Sequence, residues 1–196
     1  AHRPAEGREA RRNACGNAAE MKPLRRIGVV ADTHGRVHPA LAELFAGVDH
    51  IVHAGDIGGE HVLAALRELA PVTSVDGNND QATGEEIVRT KLGTLRLLLT
   101  HILPRPHKLA PRVVASLREE PADVVVFGHS HLPHNEVVDG VRYFNPASAG
   151  PRRFSYPVSA GFLEKKGREW HAVHVALEDR SVDSLQKWMN QLSRVR

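Results

Sequence analysis

Residues Val124–His131 read VVVFGHSH, and they indicate how the rest of the chain is organised. Four consecutive apolar residues predict a strand that is buried on both faces. The strand ends at Gly128, and His129 and His131 follow it, so both imidazoles are predicted to lie at the same end of a sheet. A solvated turn would explain two such histidines equally well, and the other strand ends in the chain decide between the two interpretations.

The composition is typical of a soluble globular protein. The chain has 196 residues, enough for one domain with a sizeable core, and 41% of them are hydrophobic and 25% charged. A single cysteine excludes an intrachain disulfide, which is typical of a reducing compartment. No apolar run is long enough to cross a membrane, and no secretory signal is recognisable. We therefore expect a cytoplasmic protein that does not bind membranes.

The positive net charge of +3 belongs to the N-terminal part of the chain. Residues 1–26 hold seven of the 26 basic residues and three of the 23 acidic ones, so the remainder has 19 basic and 20 acidic side chains. Residues 27–196, called the body below, have a net charge of −1 and offer no basic groove for a polyanion. This argues against a nucleic-acid polymer as partner.

The same N-terminal part has few large apolar side chains. We expect residues 1–24 to form a basic extension that is disordered or loosely attached, and residues 25–196 to form a single domain. Met21 resembles a natural start, in which case the first twenty residues are an upstream addition.

The first half of the domain is predicted to alternate strands and helices. Short apolar runs predict strands over Ile27–Ala31, His50–Ala54 and Pro71–Val75. Helical spacing is found for Leu41, Leu44 and Phe45, and again for Val62, Leu63, Leu66 and Leu69. This β-α-β-α-β order predicts a parallel sheet whose functional loops follow the carboxyl ends of its strands.

The second half is predicted to contain three hairpins. They pair Glu86–Lys91 with Leu95–Thr100, Asn135–Val138 with Val141–Phe144, and Val158–Glu164 with Glu169–Ala176 around a Lys-Lys-Gly turn. Residues 108–120 and 182–192 are predicted helices, and Val124–Phe127 is a strand. We therefore predict an α/β (α+β) fold with four layers, α/β/β/α, in which two mixed β-sheets pack face to face and are flanked by helices.

Polar side chains follow most of the predicted strands. Singly, each has an ordinary structural explanation, because Asp32 can cap a helix and Asp56 can belong to a turn. Together they are Asp32, His34, Asp56, Asn78, His101, His129 and His131. We expect these side chains to converge on one edge of one sheet.

Such a cluster would be costly to bury without a partner, and divalent cations are suitable partners. Two carboxylates, four imidazoles and an amide are too many ligands for one tetrahedral site, but they suit two ions that share a carboxylate. The lack of thiolate ligands favours borderline ions over a structural zinc site. We expect Mn²⁺, with iron, zinc or nickel as alternatives.

The order of these motifs resembles that of the calcineurin-like metallophosphoesterases, in particular the small bacterial and archaeal phosphodiesterase branch. The matching segments are Asp32-Thr33-His34, Gly55-Asp56, Gly77-Asn78-Asn79-Asp80, His101 and Gly128-His129-Ser130-His131. They occur in the family's order within residues 27–150. The resemblance implies a two-sheet sandwich flanked by helices, in agreement with the hairpin-rich prediction.

The resemblance also implies a role for each residue. It places Asp32, His34 and His131 on one metal, Asn78, His101 and His129 on a second, and Asp56 between them. A hydroxide that bridges the metals, roughly 3.5–4 Å apart, would attack phosphorus in line with the leaving group. Asp56 and Asn78 are therefore predicted to be catalytic, and Asn78 and Asn79 to contact the substrate.

The chain departs from many relatives at two positions. Asn79 stands where they carry a histidine that protonates the leaving group, and Gly59 where larger relatives carry that histidine's aspartate partner. Both the histidine that protonates the leaving group and its aspartate partner are therefore missing. We expect weak general-acid catalysis and a preference for good leaving groups.

Residues beside these motifs receive structural interpretations. Asn145-Pro146-Ala147-Ser148 resembles an Asn-Pro-Gly-Ser segment of this branch and is expected to brace the site. His53 is expected to be a hydrogen-bonded core histidine. Arg152 and Arg153 are expected in a solvated loop, with steering of an anionic substrate as the alternative.

The favoured function is therefore a two-metal phosphodiesterase that acts on a small phosphoester. A phosphomonoesterase that uses the same metals and a non-catalytic scaffold protein of the same fold are the alternatives. Retention of all seven ligand positions argues against the scaffold. A homo-oligomer is compatible with the sequence.

Overall fold

The computed structural model describes residues 24–81, 86–104, 109–153 and 156–178. The strands are β1 Arg26–Val30, β2 His50–His53, β3 Val72–Ser74, β4 Ile87–Leu92, β5 Leu95–Thr100, β6 Val124–Val126, β7 Pro133–Val138, β8 Val141–Pro146, β9 Ser159–Lys166 and β10 Glu169–Ala176. The helices are α1 Ala40–Leu44, α2 Glu60–Arg67 and α3 Pro111–Glu119. Residues 1–23 and the predicted helix over 182–192 lie outside the described residues.

The strands of the described residues form two mixed sheets of five strands each. The first sheet has the order β10-β9-β1-β2-β3, with β1, β2 and β3 parallel and β9 antiparallel to β1. The second sheet has the order β4-β5-β6-β8-β7, with β5, β6 and β8 parallel. The predicted α/β sandwich of two mixed sheets is confirmed.

Side-chain alternation along the strands creates three apolar layers. Ile27 and Val29 of β1 pack between the sheets with residues such as Leu97 and Val126, while Val30 faces the layer that holds α1 and α2. On the far side of the second sheet, α3 packs against alternate strand residues. These layers place the helices outside and the sheets face to face.

The expectation that all functional loops meet at the edge of one sheet is wrong. β1, β2 and β3 belong to the first sheet, whereas β5 and β6 belong to the second. The reason is that the β4–β5 hairpin starts a new sheet, since β5 pairs with β4 and β6. The loops after the parallel strands of both sheets nevertheless meet, because the sheets pack with these ends on the same side.

Element ends differ from the predictions by a few residues. Helix α3 begins at Pro111, because proline is favoured in the first turn and disrupts a helix interior. The predicted Lys-Lys-Gly turn is shifted: Lys165 and Lys166 pair within the ladder, and the chain turns at Gly167, which has a φ of +62°. In the described part of the chain, no helix has the length and apolarity to cross a membrane.

Candidate metal centre

Most of the predicted ligands have an unusual backbone conformation. Seven non-glycine residues have a positive φ in the described part of the chain, and five of them are predicted ligands. These five are Asp32 (54°), His34 (48°), Asp56 (52°), His129 (68°) and His131 (56°). Aspartate and histidine enter this left-handed region more readily than most residues, but at an energetic cost. Such strain is typical of functional sites.

The first predicted set, Asp32, His34 and His131, comes together. His131 Nε2 lies 3.4 Å from Asp32 Oδ1 and 3.2 Å from His34 Nε2, and the two histidine rings stack with centroids 5.2 Å apart. The ligand atoms of the three residues all lie within 4.8 Å of one another. One cation can therefore contact all three side chains.

The second predicted set also comes together, around the amide oxygen of Asn78. Asn78 Oδ1 lies 3.1 Å from His101 Nε2 and 2.8 Å from His129 Nδ1. The other ring nitrogen of His101, Nδ1, donates to the carbonyl oxygen of Ala54 at 2.8 Å, since a carbonyl can only accept. In the neutral ring, this leaves the lone pair of Nε2 directed into the site, as a metal ligand requires.

Asp56 lies between the two sets. Its Oδ2 is 3.8 Å from His34 Nε2, and its Oδ1 is 3.4 Å from His101 Nε2. Ligand atoms of Asp32, Asp56 and His101 also lie within 4.8 Å of one another. Asn79 donates to both oxygens of Asp56, from its backbone nitrogen at 2.9 Å and from Nδ2 at 2.6 Å. The predicted contact of Asn79 with substrate stays a prediction.

The electrostatics of the cluster favour a cation. Burial and then the charge of Asp56 raise the pKa of Asp32 to about 8. Burial also raises the pKa of Asp56, but the hydrogen bonds from Asn79 and the nearby imidazoles outweigh it and leave that pKa below its ordinary value. Burial, followed by the charge of Arg153, lowers the pKa of His131 to about 4.

Two nearby carboxylates and four imidazoles form a set of oxygen and nitrogen donors that suits a divalent cation. A divalent cation would keep Asp32 ionised and would accept the lone pairs of the imidazoles. The donor set without thiolate fits manganese, iron, zinc or nickel better than calcium or magnesium, which prefer oxygen ligands.

Asp80 supports the site and was missed from the sequence. Its Oδ2 accepts hydrogen bonds from the backbone of Gly77 (2.8 Å) and Ile57 (3.0 Å), and its Oδ1 accepts one from Gly58 (2.9 Å). Asp80 thereby joins the loop after β3 to the loop after β2. The motif Gly77-Asn78-Asn79-Asp80 contained it, but only the structure shows that its carboxylate binds three backbone donors.

Two predicted supporting roles are confirmed. Asn145 Nδ2 donates to Gly128 O at 2.8 Å, and Ser148 Oγ donates to Asp32 O at 3.0 Å, so this segment braces loops from both sheets. His53 is fully buried, with Nε2 2.9 Å from Thr33 Oγ1 and Nδ1 accepting from Gly55 N at 3.2 Å. His53 is therefore a satisfied core histidine.

The sequence matches the calcineurin-like phosphoesterase superfamily domain over residues 26–168. A probable metallophosphoesterase from Methanothermobacter thermautotrophicus is 33% identical over 141 residues, which cover 67% of this chain and 81% of that protein. The phosphodiesterase YfcE from Escherichia coli K12 is 28% identical over 187 residues, which cover 81% of this chain and 96% of that protein.

Solved structures show the same likeness. A structure of YfcE from E. coli, described as a phosphoesterase, aligns with a TM-score of 0.62 at 27% identity and covers 80% of this chain and 95% of that one. Wild-type Vps29 from Entamoeba histolytica, solved in complex with zinc, aligns with a TM-score of 0.63 at 25% identity and covers 80% and 94%. The family predicted from the order of the motifs is confirmed. The chain belongs to the calcineurin-like phosphoesterase superfamily and is a metal-dependent phosphoesterase.

Proposed function

We propose that this chain is a phosphodiesterase that uses two divalent metal ions, with Mn²⁺ as the favoured metal. The ligand sets are Asp32, His34 and His131 for one ion and Asn78, His101 and His129 for the other, with Asp56 shared. The observation that carries the proposal is the position of Asp56, which lies within 3.8 Å of His34 on one side and 3.4 Å of His101 on the other. A carboxylate between two groups of nitrogen donors suits a shared ligand.

Two divalent ions, when bound, activate water for attack on phosphorus and neutralise the charge of the phosphoryl oxygens. Contacts within the protein orient the metal ligands. Ala54 O fixes the His101 ring so that Nε2 faces the site, and the backbone of Asn79 holds Oδ1 of Asp56. These contacts hold the ligands in place before substrate arrives, so little reorganisation accompanies the reaction.

Asn78 combines two functions in this proposal. Its Oδ1 faces the imidazoles of His101 and His129, and no acceptor for its Nδ2 is found among the described residues. The side chain is exposed, so Nδ2 is available to donate a hydrogen bond to a phosphoryl oxygen. A carboxylate at this position could bind the metal but could not donate that bond.

Cleavage of a diester is favoured by the likeness to YfcE, which is named a phosphodiesterase and is 28% identical over 81% of this chain. The body's net charge of −1 favours a small phosphoester over a nucleic-acid polymer as substrate. The cytoplasmic location and any homo-oligomer stay predictions.

The test is to load the protein with Mn²⁺, measure its metal content, and compare the hydrolysis of bis(4-nitrophenyl) phosphate with that of 4-nitrophenyl phosphate. We expect two bound ions per chain and faster hydrolysis of the diester. Faster hydrolysis of the monoester would identify a phosphomonoesterase instead. Two bound ions without turnover of either ester would indicate a scaffold.

Asp56→Asn tests the shared ligand, with Asp139→Asn as its matched control. Both aspartates have a left-handed backbone, with φ values of 52° and 51°, but Asp139 lies exposed in the β7–β8 turn. We expect Asp56→Asn to weaken metal binding by more than about 100-fold, because a direct ligand contributes more than a residue that supports one. Asp139→Asn should retain metal and activity. An Asp56→Asn variant that keeps both ions would contradict the shared position.

A further inference from the structure

Two neighbouring arginines, Arg152 and Arg153, differ in what they contact. Both side chains are exposed and follow the segment that braces the site. The guanidinium of Arg152 forms an ion pair with Glu178. Arg153 makes no hydrogen bond or ion pair with any residue in the described part of the chain. Arg152 therefore contributes to the fold, whereas the guanidinium of Arg153 is available to bind a ligand.

The loop before Arg153 is attached to the end of β1. Ser148 Oγ donates to Asp32 O at 3.0 Å, and Ala149 N donates to Ala31 O, also at 3.0 Å. Gly150 packs so closely that a Cβ atom there would lie 2.4 Å from Thr33 O. Three successive residues thus rest on the loop that carries Asp32. Arg153 follows within about 10 Å of extended chain, so the loop delivers it beside the first ligand set.

The charge of Arg153 acts on that set. After burial, the charge of Arg153 is the main cause that lowers the pKa of His131, and it also opposes the rise in the pKa of Asp32. These two side chains are themselves 3.4 Å apart. The attachment of Ser148 and Gly150 to the loop that carries Asp32 places Arg153 on this side of the site, and the effect of its charge on both side chains agrees with that position.

We propose that Arg153 binds the phosphate group of the substrate on the Asp32–His131 side of the site, which makes that substrate a small anionic phosphoester held by metals and a guanidinium together. This inference rests on the proposed function. A guanidinium presents a planar fork of N–H donors that matches the non-bridging oxygens of a phosphate, and charge-assisted hydrogen bonds of this kind are strong.

The position of Arg153 should also make metal binding less favourable, and this effect helps to test the proposal. A fixed positive charge beside a divalent site repels the metal ions, so Arg153 should weaken metal binding while it strengthens substrate binding. A residue that merely held the loop in shape would affect both kinds of binding in the same direction. The two affinities therefore distinguish a substrate contact from a structural role.

The experiment compares Arg153→Gln with Arg152→Gln in the Mn²⁺-loaded protein. For Arg153→Gln we expect the KM for bis(4-nitrophenyl) phosphate and the dissociation constant for inorganic phosphate, measured by calorimetry, to rise about tenfold or more. The dissociation constant for Mn²⁺ should fall by about two- to threefold. Arg152→Gln should change none of these values, and Arg153→Lys, which keeps the charge without the fork, should recover part of the phosphate affinity.

Direct measurement of phosphate binding separates this inference from the proposed function. If the protein hydrolyses no phosphoester, the proposed function fails, while phosphate binding still reports on Arg153. Wild-type protein that binds no phosphate overturns the inference. Unchanged phosphate affinity in Arg153→Gln overturns it too, and so does a parallel loss of metal and phosphate affinity.

Discussion

Asn79 shows how a single side chain changes the expected chemistry. Its two donors contact both oxygens of Asp56, at 2.9 and 2.6 Å. These bonds help to hold the pKa of Asp56 below its ordinary value despite the opposing effect of burial. An amide orients a carboxylate well, but it does not titrate and cannot pass a proton to a departing alkoxide. Asn79 is therefore suited to positioning Asp56 rather than to acid catalysis.

Asn79→Ala and Asn79→His test this distinction. Wild-type hydrolysis of aryl phosphodiesters should depend steeply on the pKa of the leaving group, because no residue at this position protonates it. Asn79→His should flatten the dependence and speed the slowest esters by up to about 100-fold, the lower range of general-acid catalysis. Asn79→Ala, which removes the amide without adding an acid, should keep the steep slope. A flat wild-type dependence, or a slope that histidine leaves unchanged, would contradict this interpretation.

At the scale of elements, the segment from Asn145 to Gly150 connects loops that come from different sheets. Asn145 is bound to Gly128 after β6, whereas Ser148 is bound to Asp32 after β1. Ser148 is buried, and its hydroxyl also accepts from Gly150 N at 3.3 Å. The relative position of the two halves of the metal centre therefore depends on a segment that contributes no ligand.

Ser148→Ala should weaken both the fold and the metal site. It leaves the buried carbonyl of Asp32 without this donor, which should lower the free energy of unfolding by about 1–3 kcal/mol and weaken Mn²⁺ binding. Ser116→Ala is the matched control, because Ser116 accepts a hydrogen bond from Arg89 at 2.8 Å on the outer helix α3, away from the site. Denaturant unfolding and calorimetry of both variants measure the two effects. Equal metal affinity in the two variants would contradict the bracing role.

Much of this arrangement could be predicted from the sequence, because the signals are local. A run of apolar residues followed by a ligand marks each strand end, and in three of them, as in Val124–His131, a glycine precedes the ligand. Which sheet a strand joins is not local, so the division between β3 and β5 was missed. The roles of Asp80 and Asn79 were missed for the same reason, since their side chains are directed by groups more than twenty residues away, the backbone of Ile57 and the carboxylate of Asp56.

At the scale of the whole molecule, a polar contact joins the two sheets at the buried end of β10. His174 in the first sheet donates from Nε2 to the carbonyl oxygen of Asn145 in the second sheet at 2.7 Å. Its ring lies 4.6 Å from that of Phe144. Burial lowers the pKa of His174 to about 4, so the fold favours the neutral ring. Protonation of this histidine is therefore linked to opening of the sandwich.

This linkage predicts a loss of stability in acid. The unfolded chain takes up a proton at His174 as the pH falls through about 6.5, but the folded chain does so only near 4, so stability decreases between these values. Lowering the pH from 7 to 5 should cost about 2 kcal/mol through this residue. His174→Gln keeps a donor but does not titrate. The stability advantage of the wild-type protein over His174→Gln should therefore decrease by that amount between pH 7 and pH 5. Parallel pH profiles of the two proteins would contradict the assignment.

The left-handed backbone of five predicted ligands also limits which substitutions the protein can tolerate at these positions. Aspartate and histidine codons are each one base away from asparagine codons, and asparagine tolerates a positive φ. Replacements by valine, isoleucine or threonine would strain the same loops. Asparagine therefore preserves the loop shape while it replaces a charged or imidazole ligand by a weaker one. A lineage that loses the chemistry can keep the surface, which leaves an intact sandwich free to be recruited for other purposes.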